Sequence, residues 1–337
     1  MKMKTEYLIL SIIIIVLSIY LVQRDTDRSL YKLPDIIEID EKKLTKIEIT
    51  GPEKTMVLNR SGDSWEIGPE KYRADEDKMD DILGVVGKLK VTALVAESKG
   101  YDRYHLDKDN KITVKAWAGD KLKREFDLGK AASSYRHTFV KLSGMDDDRV
   151  YHGRGSFRNK FDTTLEKLRD KTVLLFDKEK IREIHIAKGK ESLTLLRKDV
   201  PVKAVVTDED SVEDMDKEKD KEKDKEKDKE VIEETEITWQ TADGKECDVI
   251  KINELLAASS KLICEKFIYN KMKSDYKEPI FSIILKGSEE YKLDIFDNAE
   301  KDAKDFPGIT STNKTSFMLP KWKVDRLNKD LSEYIKI

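Results

Sequence analysis

The 337-residue chain holds only two cysteines, Cys247 and Cys264, and four histidines. So small a stock of soft ligands and general bases narrows the chemistry open to it. The pattern read below sets Cys247 at the start of a helix and Cys264 just past its end. About fourteen helical residues at roughly 1.5 Å each hold them about 20 Å apart. A disulfide spans no more than roughly 7 Å between Cα atoms, so both are expected as free, partly buried thiols. The histidines are His105, His137, His152 and His185. None stands at metal-ligand spacing with another His, Cys or acid on a helix face. His185 is expected on the exposed face of a strand, between two isoleucines. The sequence therefore assigns no catalytic residue, no cofactor site and no metal site.

A dominant charge sign is missing as well. Lys+Arg 65 against Asp+Glu 68 leave a net charge of −3. No basic patch stands out to neutralise phosphates, which speaks against nucleic acid as a partner. Gly153-Arg154-Gly155 lacks the G-x-x-x-x-G-K-[ST] pattern of a phosphate loop. Asp146-Asp147-Asp148 lacks the spacing and terminal Glu of a calcium loop and reads as a solvated turn. Ser133-Ser134-Tyr135-Arg136-His137 is the most enzyme-like local cluster, but nucleophile triads are assembled in space, not along the chain.

What is present begins almost at the N-terminus. From Leu8 to Val22, twelve of fifteen residues are Leu, Ile or Val. At this composition, insertion into a membrane is favoured by about 4–7 kcal/mol. No small residue follows Ser18 to form an A-x-A-like cleavage site, and twelve aliphatics with no polar face fit a buried soluble helix poorly. The expectation is an uncleaved signal-anchor, with the cytoplasmic membrane as its partner. Residues 1–6 would be cytoplasmic, 7–23 a transmembrane helix and 24–43 a connector. Lys2 and Lys4 before the run, against mutually cancelling charges after it, place the soluble part outside.

The remainder reads as one unit written twice. Leu44 to Ile49, Thr55 to Leu58 and Trp65 to Ile67 alternate as short antiparallel strands. Between Asp75 and Lys90, the residues Met79, Ile82, Leu83, Val86 and Leu89 form one helical stripe, with Asp75 as N-cap. Gly84 and Gly87 weaken that helix and are expected to serve close packing. Ile112 to Ala118 and Leu122 to Leu128 make a hairpin at Gly119. Phe157, Phe161, Leu165 and Leu168 close the unit on a second helix. Ile184 then follows Ile47 by 137 residues, Trp239 follows Trp65 by 174, and Ile252 follows Met79 by 173. Ile280 to Leu285 and Tyr291 to Phe296 repeat the hairpin around Gly287, and Trp322, Leu327, Leu331 and Tyr334 repeat the closing helix. The tryptophans Trp65, Trp117, Trp239 and Trp322 are expected in the core. A duplicated module accounts for six elements in one order. The offset jumps between Leu195 and Trp239 because of an insertion at 207–236, which holds fifteen consecutive charged residues from Asp216 to Glu230. Like charges at i and i+4 oppose a helix there, and with nothing apolar to bury, disorder is expected.

Trp65, Tyr72-Arg73-Ala74-Asp75 and Tyr104-His105-Leu106-Asp107 carry a recognisable pattern. With Leu128-Gly129-Lys130, Tyr135, Phe139-Val140-Lys141-Leu142 and Val150-Tyr151, it resembles the domain of unknown function 4340 family. His105 departs from the Gly usual there. The likeness covers Leu44 to Phe176 and only faintly the second copy. These are packing and turn residues, so they point to a fold and not to a site. The resemblance implies a membrane-anchored extracytoplasmic protein found beside an ABC-type transporter similar to the gliding-motility auxiliary systems. It supplies no catalytic residue.

The expected fold is α+β: two tandem repeats of an antiparallel sheet with packed helices, at 44–176 and 177–337, preceded by one transmembrane helix. The expected function is binding or scaffolding without catalysis, with ABC-type transporter subunits as partners. A hydrolase of envelope polymers, its site assembled by folding, is the alternative.

Overall fold

The structure, a computed structural model, describes residues 5–23, 31–143, 148–203, 233–298 and 304–336. Most of the expected charged insertion, and Asp146 and Asp147, lie outside the described residues; the last residues of the insertion, from Glu233, already belong to a strand. The chain divides into two compact units, Met1–Asp170 and Lys171–Ile337.

The first unit opens with α1 (Thr5–Gln23). Its described side chains from Ile9 to Tyr20 are exposed on every face. Nineteen residues rise only about 28 Å, short of a hydrocarbon core of roughly 30 Å, and Thr5, Glu6 and Gln23 make its ends polar. Among the described residues no helix is long and apolar enough to cross a membrane. The expectation of a spanning segment is thereby corrected, and so is the expected fold class that included it. The chain is mostly antiparallel sheet.

Strands β1 (Lys46–Thr50), β2 (Thr55–Ser61), β3 (Ser64–Ile67) and β4 (Tyr72–Arg73) lead into α2 (Glu76–Gly87). There follow β5 (Val91–Ala96), β6 (Ile112–Ala118), β7 (Lys121–Ala131), β8 (His137–Leu142) and β9 (Val150–Arg154), then the short helices α3 (Arg158–Phe161) and α4 (Leu165–Leu168). The nine strands form one sheet in the order β4-β3-β2-β1-β6-β7-β8-β9-β5. Alternation decides which face is buried: Ile47 and Ile49 are shielded while Lys46 and Glu48 are not. Helix α2 covers the shielded face with Met79, Ile82, Leu83 and Val86. Asp75 caps it, its side chain accepting from the Lys78 amide. The single closing helix expected from Phe157 to Leu168 is instead two one-turn helices. Asp162 stands at φ −78°, ψ 67° and Thr164 is extended, accepting the Lys167 amide as the cap of a new helix. A side-chain oxygen that competes for backbone donors favours such a restart.

The second unit comprises β10 (Thr172–Leu175), β11 (Glu183–Lys188), β12 (Glu191–Lys203), β13 (Glu233–Thr241), α5 (Val249–Ser260), β14 (Lys261–Ile263) and β15 (Lys266–Ile268). It continues with β16 (Pro279–Lys286), β17 (Glu290–Phe296), β18 (Asp305–Thr310), β19 (Ser316–Pro320) and α6 (Lys321–Leu327). Its larger sheet runs β13-β12-β11-β16-β17-β18-β19-β15, and β10 and β14 make a separate ribbon. That order repeats the first sheet without a counterpart of β4. Ile47 faces Leu58 in one unit and Ile184 faces Leu195 in the other. Asp248 caps α5, accepting from the Ile250 and Lys251 amides. Trp65 and Trp239 are buried, Trp117 is half-buried, and Trp322 is exposed. The last corrects the expectation of a core residue: α6 stops at Leu327, turning Val324 and Leu327 inward and Trp322 out.

Candidate functional site

Beneath the β1–β2 turn of the first unit lies a cavity of ≈480 Å³. Ile49, Met56, Ile112 and Phe161 make its apolar floor, and the turn at Gly51–Lys54, the approach to β6 and the α3–α4 link make its rim. Phe161 is locked there by edge-on contacts with Phe126 and Phe157, at 6.2 and 6.5 Å between ring centroids. Arg158, the first residue of α3, holds the wall together. Its guanidinium donates to the Leu128 carbonyl at 3.0 Å and the Asn110 carbonyl at 2.6 Å. Burial pushes that guanidinium's pKa down, and Asp162 opposes the shift.

A cavity of this size suits a small molecule, which convergent polar groups over an apolar floor would orient. Around the rim Lys54 and Lys167 alternate with Glu53, Asp109 and Asp162, so no one sign of charge prevails. No His, Cys or Ser lines it; its hydroxyls are those of Thr163 and Thr164 and its carboxylates those of Glu53, Asp109 and Asp162.

The residues singled out in the sequence fall elsewhere. In the Ser133–His137 loop, Ser134 Oγ accepts from the Arg136 amide at 3.3 Å. His137 turns away to stack on His152 across β8 and β9, with centroids 5.0 Å apart and planes 21° from parallel. The fifteen-residue separation of the two imidazoles hid this pair. His185 is half-buried between Thr194 Oγ1, at 2.9 Å from Nδ1, and the Glu183 carboxylate. Asp148 accepts from Lys141 Nζ at 2.9 Å. Among the described residues no three His, Cys, Asp or Glu side chains are grouped to hold a metal ion. Cys247 and Cys264 are both free and buried, and burial pushes the Cys247 thiol up, with Asp243 adding to the shift.

The fold and the cavity define an antiparallel-sheet protein of two units with a ligand-sized recess. Residues 67–278 match the model of Domain of unknown function (DUF4340). The chain belongs to that family. The match takes in Tyr72–Asp75, Tyr104–Asp107 and the β7–β9 segments, and it runs on into the second unit. No curated protein and no solved structure matches the chain.

Proposed function

We propose that this is a non-catalytic binding and scaffold protein of a bacterial envelope, an accessory subunit of an ABC-type transporter complex acting on the extracytoplasmic face of the cytoplasmic membrane. The observation that carries this reading is α1. Between Ile9 and Tyr20 its apolar side chains are 49% to 59% exposed. Apolar surface left in water costs on the order of 25 cal/mol per Å², and a continuous patch of it marks a contact site. The apolar helices of a membrane-embedded partner subunit are the surface that removes it from water. The ≈480 Å³ cavity, an apolar floor under a rim of mixed charge, is of a size that suits a bound ligand. The transporter itself comes from the family resemblance, an argument from association.

Crosslinking in intact membranes, followed by identification of what is captured, tests the reading. Transporter subunits are expected, and Ile14→Lys should lower their yield without unfolding either unit. Recovery of no transporter subunit overturns the accessory role. A reporter fused after Ile337 that works only in the cytoplasm overturns the assigned face.

A further inference from the structure

The two glycines of α2 have different surroundings. A Cβ at Gly87 would lie 2.8 Å from Glu41 Cγ and 2.9 Å from the Ile39 carbonyl, so close packing demands glycine there. At Gly84 a Cβ would meet nothing within 4 Å. A helix-interior glycine is unfavourable relative to alanine, and no neighbour repays it at position 84. What lies beyond Gly84 is a cavity of ≈200 Å³ between α2, the end of β9 and α3.

Two more glycines shape the same recess. A Cβ at Gly153 would sit 2.8 Å from Val140 Cγ2 and 3.0 Å from Phe157 Cζ. Glycine at 153 thus lets the Phe157 ring stand as a wall beside Val85 and Leu89. Gly155, at φ +106°, turns the chain away in a conformation that L side chains rarely adopt. Arg154, between them in the chain, is exposed and lines the recess.

The lining carries four cations, Lys88, Lys90, Arg154 and Lys160, against two carboxylates, Asp80 and Asp81. Three of the cations are engaged: Lys88 with Glu41 at 3.0 Å, Lys90 with Glu38 at 3.0 Å and Lys160 with Asp81 at 2.6 Å. Arg154 enters no ion pair among the described residues. An uncommitted guanidinium beside the three apolar side chains of the lining, Val85, Leu89 and Phe157, is complementary to a carboxylate on a short hydrocarbon body, which guanidinium grips through two parallel hydrogen bonds.

We propose that this recess binds a small aliphatic carboxylate, the head on Arg154 and the body over Val85, Leu89 and Phe157, in the space that Gly84 leaves open. The site stands independently of the scaffold reading. Titration calorimetry of the full chain with butyrate, inorganic phosphate and butanol tests it. Butyrate should bind saturably, and the other two at least tenfold more weakly. Arg154→Gln should weaken butyrate at least tenfold. Gly84→Met should abolish binding, and Gly84→Ala should weaken it while raising the melting temperature. Absence of saturable butyrate binding, or unchanged binding by Gly84→Met, overturns the proposal. Phosphate binding as tight as butyrate refutes the role of the apolar walls.

Discussion

The backbone amide of Asp75 donates to the carbonyl of Leu168 at 2.9 Å, fastening the start of α2 to the end of the unit. Asp248 donates to Tyr334 at the same distance. In both units the preceding residue also hydrogen-bonds back to a buried tryptophan: Ala74 to the Trp65 carbonyl and Cys247 to that of Trp239. Each aspartate therefore joins three parts of its unit as well as capping a helix. Asp75→Ala and Asp248→Ala are each expected to cost about 1 kcal/mol, read as a lower denaturation midpoint. Asparagine at either position should recover most of the loss.

Arg124 is buried on β7, where its guanidinium donates to the carbonyls of Val86, Gly87 and Ile37. Desolvation depresses its pKa, and Glu38 opposes the shift. Arg124→Met would remove the side-chain donor from the Val86 and Ile37 carbonyls, while Gly87 keeps the Ile39 amide, a loss of about 2–3 kcal/mol. Lysine should rescue little, since one ammonium cannot serve carbonyls on two segments. Chemical denaturation of the three proteins decides it.

Gly129 stands where a Cβ would come within 2.1 Å of the Tyr104 carbonyl, and Gly287 where one would come equally near that of Lys180. Gly129→Ala or Gly287→Ala should destabilise by about 1–3 kcal/mol or more through overpacking. The opposite sign is expected for Gly84→Ala. Thermal melts of the three variants separate a close approach from an open recess.

Burial first, and the neighbouring His137 second, hold the His152 imidazole below its usual 6.5. Between the lowered value and 6.5 the unfolded chain binds more protons than the folded one. The contribution is therefore full above about pH 6.5 and is lost as pH falls through the lowered value. His152→Gln should flatten the pH dependence of stability on the acid side of 6.5. An unchanged slope would show that the stacked pair does not govern it.

Periodicity made the sheets and long helices legible. Met79, Ile82, Leu83 and Val86 are the residues that α2 buries, and the Gly119 turn joins β6 and β7. Side-chain pattern reports burial, and burial is what those elements share. The break between α3 and α4 was not legible, because Phe161 and Leu165 keep helical spacing across it. Trp322 misled for a related reason: its repeat-equivalent position suggested the core, while the orientation of α6 turns it out. The cavities, the Arg124 clasp and the His137–His152 stack come from strand pairing between distant segments, which no local window contains. The membrane-spanning expectation rested on the apolar run, and the nineteen-residue helix with its polar ends falls short of it.

The β12–β13 pairing runs to Lys203 opposite Glu233. The chain therefore departs at 203 and returns at 233 through two neighbouring points that the ladder already holds together. Closing a loop on such a fixed gap costs free energy that grows only with the logarithm of its length. Lys203 and Glu233 thus form a port: whatever polypeptide is spliced between them, a tag or a reporter domain, is joined to the fold without altering the register of the sheet.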